Sequence, residues 1–166
     1  MITIQPMSLE DVQGVMIVEK ACFGEGWTST PFEKEIERPD CYYFVAKDGD
    51  KVIGYSGGWL IVEELHVIIM GVKPSHRKHK IGQRLLIDLL RAGIMNGAKW
   101  STLEVKANNT PAQKMYEKFK YTVKGRRKQY YQQDKQDALI MWTEEIDTNE
   151  YNIHLDNIEK EVTEQS

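Results

Sequence analysis

The chain has 166 residues, 41% of them hydrophobic and 28% charged, which is enough apolar material to fill the core of one domain. A net charge of −3 argues against a nucleic-acid binder as a whole, and two cysteines without metal-ligand spacing argue against a disulfide scaffold or a zinc site, as fits a reducing cytoplasm. The longest apolar stretch, from Trp59 to Val72, is broken by Glu63, Glu64 and His66; it falls far short of a membrane span, and no export signal is recognisable, so a soluble protein without a membrane partner is expected.

Residues Met1 to Pro6 alternate like a strand. Ser8-Leu9-Glu10-Asp11 offers a cap and early acids, after which Val12, Val15, Met16, Ile17 and Ala21 carry the three-and-four spacing of an amphipathic helix. Gly24-Glu25-Gly26 interrupts it, predicting a loop through Thr30, and Pro31 opens a short helix over Phe32 to Ile36. Tyr42–Ala46, Val52–Val62 and Leu65–Val72 are rich in β-branched and aromatic residues, with Asp48-Gly49-Asp50 as a hairpin turn; three consecutive antiparallel strands follow. Beyond Pro74, Ile81, Leu85, Leu86, Leu89, Leu90 and Ile94 form the stripe of a long helix ending near Asn96-Gly97, and a strand over Trp100–Val105 comes next. Asn108-Asn109-Thr110-Pro111 starts another helix, with Ala112, Met115, Tyr116 and Phe119 on one face, before strands at Tyr121–Gly125 and Ala138–Thr143. From Asp147 onward six acidic residues stand against one lysine, so the chain divides into a domain over 1–146 and an acidic, loosely docked tail over 147–166.

A strand ending at Val72-Lys73-Pro74, a basic run from His76 to Lys80, and then a helix is an arrangement in which backbone N–H groups and positive side chains converge on an anion. Neither GxxxxGK[ST] nor GxGxxG is present, which excludes a nucleotide-triphosphate loop or a dinucleotide fold.

These residues carry a resemblance. Val72-x-Pro74 followed by Arg77-x-x-x-x-Gly82 resembles the acetyl-CoA pyrophosphate loop of the GNAT superfamily, with Lys80 where that family has its first glycine. Helical backbone angles are expected at Lys80, so a side chain there is tolerable and could itself pair with phosphate. The likeness extends from about residue 2 to about residue 144. Glu63-Glu64-Leu65-His66 through Pro74 is similar to the fourth strand of the RimI type, and Leu103-Glu104-Val105-Lys106-x-Asn108-Asn109-x-x-Ala112-x-x-x-Tyr116 to its LEVR-x-SN-x-x-A-x-x-x-Y. Arg126-Arg127-Lys128-Gln129-Tyr130-Tyr131 and Asp137-Ala138-Leu139-Ile140-Met141 resemble the family's ending. Lys120-Tyr121 replaces the family's Gly-Phe, placing a lysine where a helix end often needs φ > 0, at a cost of roughly 1 kcal/mol.

The resemblance implies a single-domain α/β fold of mixed α+β type, with a mostly antiparallel sheet splayed between its fourth and fifth strands and about four flanking helices. It implies an acetyl-CoA-dependent N-acetyltransferase acting on a protein or peptide N-terminus, by analogy a ribosomal protein, and working as a monomer or weak homodimer without metal or direct nucleic-acid contact. Acetyl transfer to an amine needs a neutral nucleophile, and an α-amino group with a reference pKa near 8 needs modest help to lose its proton. Glu104 is the candidate base and Tyr116 the candidate acid for the departing thiolate. Met70, Gly71 and Val72 match the splayed strand edge, Arg77, Lys78, His79, Lys80, Ile81, Gly82 and Gln83 the phosphate loop, and Asn109 a cofactor contact. Phe23, Trp27, Tyr130 and Tyr131 are candidate walls of the acceptor slot, where Glu25 could attract an α-ammonium or a basic second residue. His66 reads as structural. The competing readings are a small-amine or antibiotic acetyltransferase, a non-catalytic acetyl-CoA-binding or partner-binding module, and, through the two basic clusters, nucleic-acid binding.

Overall fold

Alternation along each strand decides which residues meet on which side of a single seven-stranded sheet, whose order is β1-β2-β3-β4-β5-β7-β6. The computed structural model describes residues 1–24, 30–131 and 135–164, with Gln129 and Tyr131 described by their backbone alone. The strands are β1 (Ile2–Pro6), β2 (Cys41–Asp48), β3 (Lys51–Ile61), β4 (Glu64–Val72), β5 (Trp100–Lys106), β6 (Thr122–Tyr131) and β7 (Gln136–Trp142). The helices are α1 (Val12–Phe23), α2 (Phe32–Ile36), α3 (Ile81–Met95), α4 (Thr110–Lys118) and α5 (Asn149–Glu164). None of these helices is long and apolar enough to cross a membrane.

On one face, Val15 and Val18 of α1 and Phe32 of α2 pack on Tyr43, Val45 and Tyr55. Two buried carboxylates fasten that layer. Glu19 accepts hydrogen bonds from Tyr55 Oη (3.0 Å) and Thr30 Oγ1 (2.8 Å), and Glu35 from Tyr43 Oη (2.6 Å) and Trp59 Nε1 (2.7 Å). Each buried charge thus meets donors that offset its desolvation. On the other face, α3, α4 and α5 enclose the larger core, in which Leu86, Leu89 and Leu90 meet Leu65, Leu103, Val105 and Met141.

The segment after Asp147 differs from the acidic, loosely docked tail expected of it. Residues Asn149–Glu164 form α5, and Tyr151, Leu155, Ile158 and Val162 are buried in the same core as β4 and β5. Their spacing of four, three and four residues is a helical stripe, and the acidic residues occupy the solvent side.

All neighbouring strands run antiparallel except β4 and β5. That parallel pair covers only Glu64–Val67 against Trp100–Leu103. The cause of its early end is local. Gly57 opposes Ile69 and Gly58 opposes Val67, so Ile68 is an extra residue on β4. A bulge bends its strand and interrupts the ladder. Beyond Ile68, β4 keeps β3 as a partner and leaves β5.

Candidate active site

Where β4 and β5 part, a cleft of about 750 Å³ opens, within the usual range for small-molecule sites. β4 supplies Val67 to Met70, β5 supplies Leu103 to Lys106, and Cys22, Phe23, Asn109, Ala112, Tyr116 and Tyr130 complete the wall. Both expected catalytic residues therefore line one cleft, together with Met70, Asn109, Phe23 and Tyr130 from the expected binding sets.

Glu104 lies between Leu103 and Val105, whose side chains are in the core, so strand alternation turns its carboxylate to the opposite face. Its side chain is 30% exposed and stands 3.4 Å from the Arg127 guanidinium of β6. Tyr116 comes from α4 and is 9% exposed. Its ring meets Tyr121 edge to face at 5.8 Å, and Tyr121 Oη is 2.7 Å from Ser101 Oγ. That second tyrosine is fully buried, and desolvation holds its phenol well above the ordinary range; it keeps its proton and serves as packing.

The turn between β5 and α4 sets how these two groups approach one another. The Lys106 carbonyl accepts from Asn109 N (3.0 Å) and Gln113 Nε2 (3.1 Å), while the Ala107 carbonyl accepts from the same Gln113 nitrogen at 3.0 Å. Asn109 caps α4, its Oδ1 accepting from Ala112 N at 3.2 Å. Its carbonyl in turn accepts from Gln113 N at 3.1 Å.

The loop expected to hold phosphate lies past the end of β4. Lys80 departs from expectation: it precedes α3 with φ 60° and ψ 20°, a left-handed rather than helical conformation. The glycine of the family motif is thus replaced at a position that does favour glycine. Lys78 is also left-handed, at φ 70°. The Lys80 ammonium turns to Glu161 of α5 at 3.4 Å; Lys118 of α4 reaches the same carboxylate at 2.6 Å and Gln83 Oε1 at 2.9 Å. Lys118 first, then Lys80, hold the Glu161 carboxyl below its usual range. Arg77 is folded back, its Nε donating to the Val72 carbonyl at 3.0 Å, with Cys22 Sγ donating to the same oxygen at 3.3 Å. Ile81 is core, packed with Leu85, Ala46 and Ile53. A Cβ on Gly82 would lie 3.4 Å from Met115 Sδ and 3.6 Å from Met70 Sδ, so that glycine lies beside the cleft's inner wall. Gly71 and Val72 continue the β4 edge beyond the cleft lining, and His79 lies in the loop.

Glu25 and Trp27 lie outside the described residues, as does the side chain of Tyr131. His66, read from the sequence as structural, stands 3.1 Å from Glu64 and packs edge to face on Trp142. Sequence reasoning missed Cys22, Lys106, Gln113 and Arg127. The places of Lys106, Gln113 and Arg127 depend on strand register and on the β5–α4 turn, and that of Cys22 on the packing of α1 against β4, none of which leaves a local signature. Among the described residues no cluster of metal-ligating side chains occurs.

The residues present fit a thioester donor. Among the described residues the β4 edge that faces the cleft has no strand partner beyond Val67, and Gly82, in the first turn of the fifteen-residue α3, lies beside Met70 of the cleft wall.

Comparison with known proteins agrees. Residues 12–121 match the Acetyltransferase (GNAT) family. A Bacillus subtilis protein provisionally named ribosomal protein bS18-alanine N-acetyltransferase is 33% identical over 140 residues, covering 84% of this chain and 93% of that one. The N-alpha-acetyltransferase RimI of Mycobacterium tuberculosis is 30% identical over 149 residues, covering 84% and 90%. The crystal structure of the ribosomal-protein-alanine N-acetyltransferase of Escherichia coli superposes with a TM-score of 0.80 at 22% identity, over 89% of this chain and 96% of that one. The chain therefore belongs to the acetyltransferase (GNAT) family and is an acetyl-CoA-dependent N-acetyltransferase.

Proposed function

We propose that this enzyme acetylates the N-terminal α-amino group of a protein, with Glu104 as base and Tyr116 as acid, and that its acceptors include ribosomal proteins. The observation that carries this reading is the convergence of one carboxylate and one phenol, from different elements, on the cleft where β4 and β5 part. Two relatives bearing names for N-terminal or ribosomal-protein alanine acetylation support the acceptor class.

When bound, acetyl-CoA supplies an activated thioester. The Glu104 carboxylate takes a proton from the acceptor's α-ammonium, directly or through water, and so frees the nitrogen lone pair that forms the new amide bond. The Tyr116 phenol donates its proton to the sulfur as the carbon–sulfur bond breaks, and the proton still on the nitrogen after attack passes, directly or through water, to the phenolate, so that the neutral amide, the thiol and the phenol are left. Backbone amides on the free β4 edge, from Ile68 to Val72, hold the donor's arm and the carbonyl oxygen on which charge develops. Asn109 fixes the start of α4 and thereby the position of Tyr116.

A free-N-terminus peptide library incubated with acetyl-CoA and read by mass spectrometry tests the acceptor class; products acetylated only on internal lysines would exclude it. Glu104→Gln and Tyr116→Phe are each expected to lower kcat by about 10²-fold or more while circular dichroism stays unchanged. Full turnover in both variants would remove the assigned roles.

A further inference from the structure

Among the described residues, the arrangement of charged side chains beside Glu104 follows from strand register. Glu104 pairs with Ile140, which pairs with Gly125; Lys106 pairs with Ala138, which pairs with Arg127. Directly opposed residues share a face of the sheet, so Glu104, Lys106 and Arg127 lie on one side of β5-β7-β6, away from the core. Arg127 thus accompanies the carboxylate of the proposed chemistry, at 3.4 Å. The neighbouring Arg126 is committed to Asp137.

Arg127 is built to meet a planar anion. Its guanidinium carbon lies 5.3 Å from the centre of the Tyr130 ring, and Tyr130 lines the cleft. This cation–π contact holds the guanidinium beside the cleft, and a guanidinium fork can pair at two points with a carboxylate. Its side chain is 53% exposed. The 3.4 Å separation from Glu104 is long beside the roughly 2.7–2.9 Å of a good charge-assisted hydrogen bond, so a second carboxylate can improve on it.

We infer that Arg127 determines acceptor specificity, selecting N-termini with an acidic side chain at the second or third residue. This rests on the N-terminal acceptor reading above. An extended peptide advances about 3.3–3.6 Å per residue, so a carboxylate one or two residues beyond an α-nitrogen held at Glu104 falls on Arg127. Once the acceptor's carboxylate takes the guanidinium, both Glu104 oxygens serve the α-ammonium alone.

The test uses the full chain, acetyl-CoA and free-N-terminus peptides that differ only at residues two and three, as Asp, Asn or Lys. The Asp peptides should exceed the Asn peptides in kcat/KM by about tenfold, the change falling mainly in KM. Arg127→Gln should bring that ratio near one, and Arg127→Lys should restore part of it. A wild-type ratio near one, a preference for Lys, or a preference that survives Arg127→Gln overturns the inference while leaving N-terminal acetylation standing. Failure to acetylate any free N-terminus, alongside acetylation of a lysine in a blocked peptide, overturns the acceptor reading and this inference together.

Discussion

Lys120 sits at φ 72°, closing α4 in a left-handed conformation. Its own N–H donates to Glu117 O at 2.9 Å, and Tyr121 N donates to Tyr116 O at 3.1 Å, the two bonds of a Schellman closure. The carbonyl of the proposed acid is therefore part of the device that ends its helix. A non-glycine residue here carries a steric cost, offset in part by the smaller freedom it loses on folding. Lys120→Gly is expected to stabilise the protein by about 0.5–1 kcal/mol, read as a rise in denaturant midpoint, with acetylation unchanged. The sequence motif already marked this position, because a lysine stands where relatives have glycine. Lys80 was harder to read: the expectation of helical angles failed because the residue precedes the first turn of α3 and turns the chain into it. The role of Arg127 could not be read at all, since its contact with Glu104 exists only once β7 has been inserted between β5 and β6.

At the level of elements, the spacing of apolar residues located β1 to β7 and α1 to α4, because each has a face that must be dry and a period that says which, but it ended the sixth strand at Gly125, whereas β6 runs on through the basic residues to Tyr131. The bulge at Ile68 had no such signal on its own strand; its trace lies opposite, in the paired glycines of β3. Gly57 shows why a side chain is excluded there: an added Cβ would lie 2.2 Å from Cε1 of Tyr43. That ring cannot retreat cheaply, since its hydroxyl is tied to the buried Glu35. Gly57→Ala is accordingly expected to destabilise by about 1–3 kcal/mol through overpacking, with part of the loss appearing as weaker acetyl-CoA binding because β4 is registered against this strand. Thermal unfolding and calorimetry on the same sample measure both; unaltered stability would mean that the β2–β3 contact has slack.

Across the whole molecule, α5 is the largest departure from what composition suggested. Acidic residues dominate its sequence and masked the four apolar positions that seal the core beneath β4 and β5. Its outer side reaches further: Glu161 binds the lysines of both the phosphate loop and α4. Arg91 of α3 is paired in the same way with Asp156 and Glu159. The α5 helix thus braces α3 and α4, the second of which lines the cleft.

The early end of the β4–β5 ladder has a thermodynamic corollary. Two half-sheets share only four rungs, Glu64–Val67 against Trp100–Leu103, and rely on helices for the rest of their attachment. A donor lodged between them supplies cross-links that the polypeptide lacks, so occupancy and rigidity should rise in step. Deuterium uptake at the amides of Ile68 to Val72 should slow on adding coenzyme A, and the melting temperature should climb with its concentration. Uptake unchanged at saturation would mean that the wedge is propped open by the protein alone.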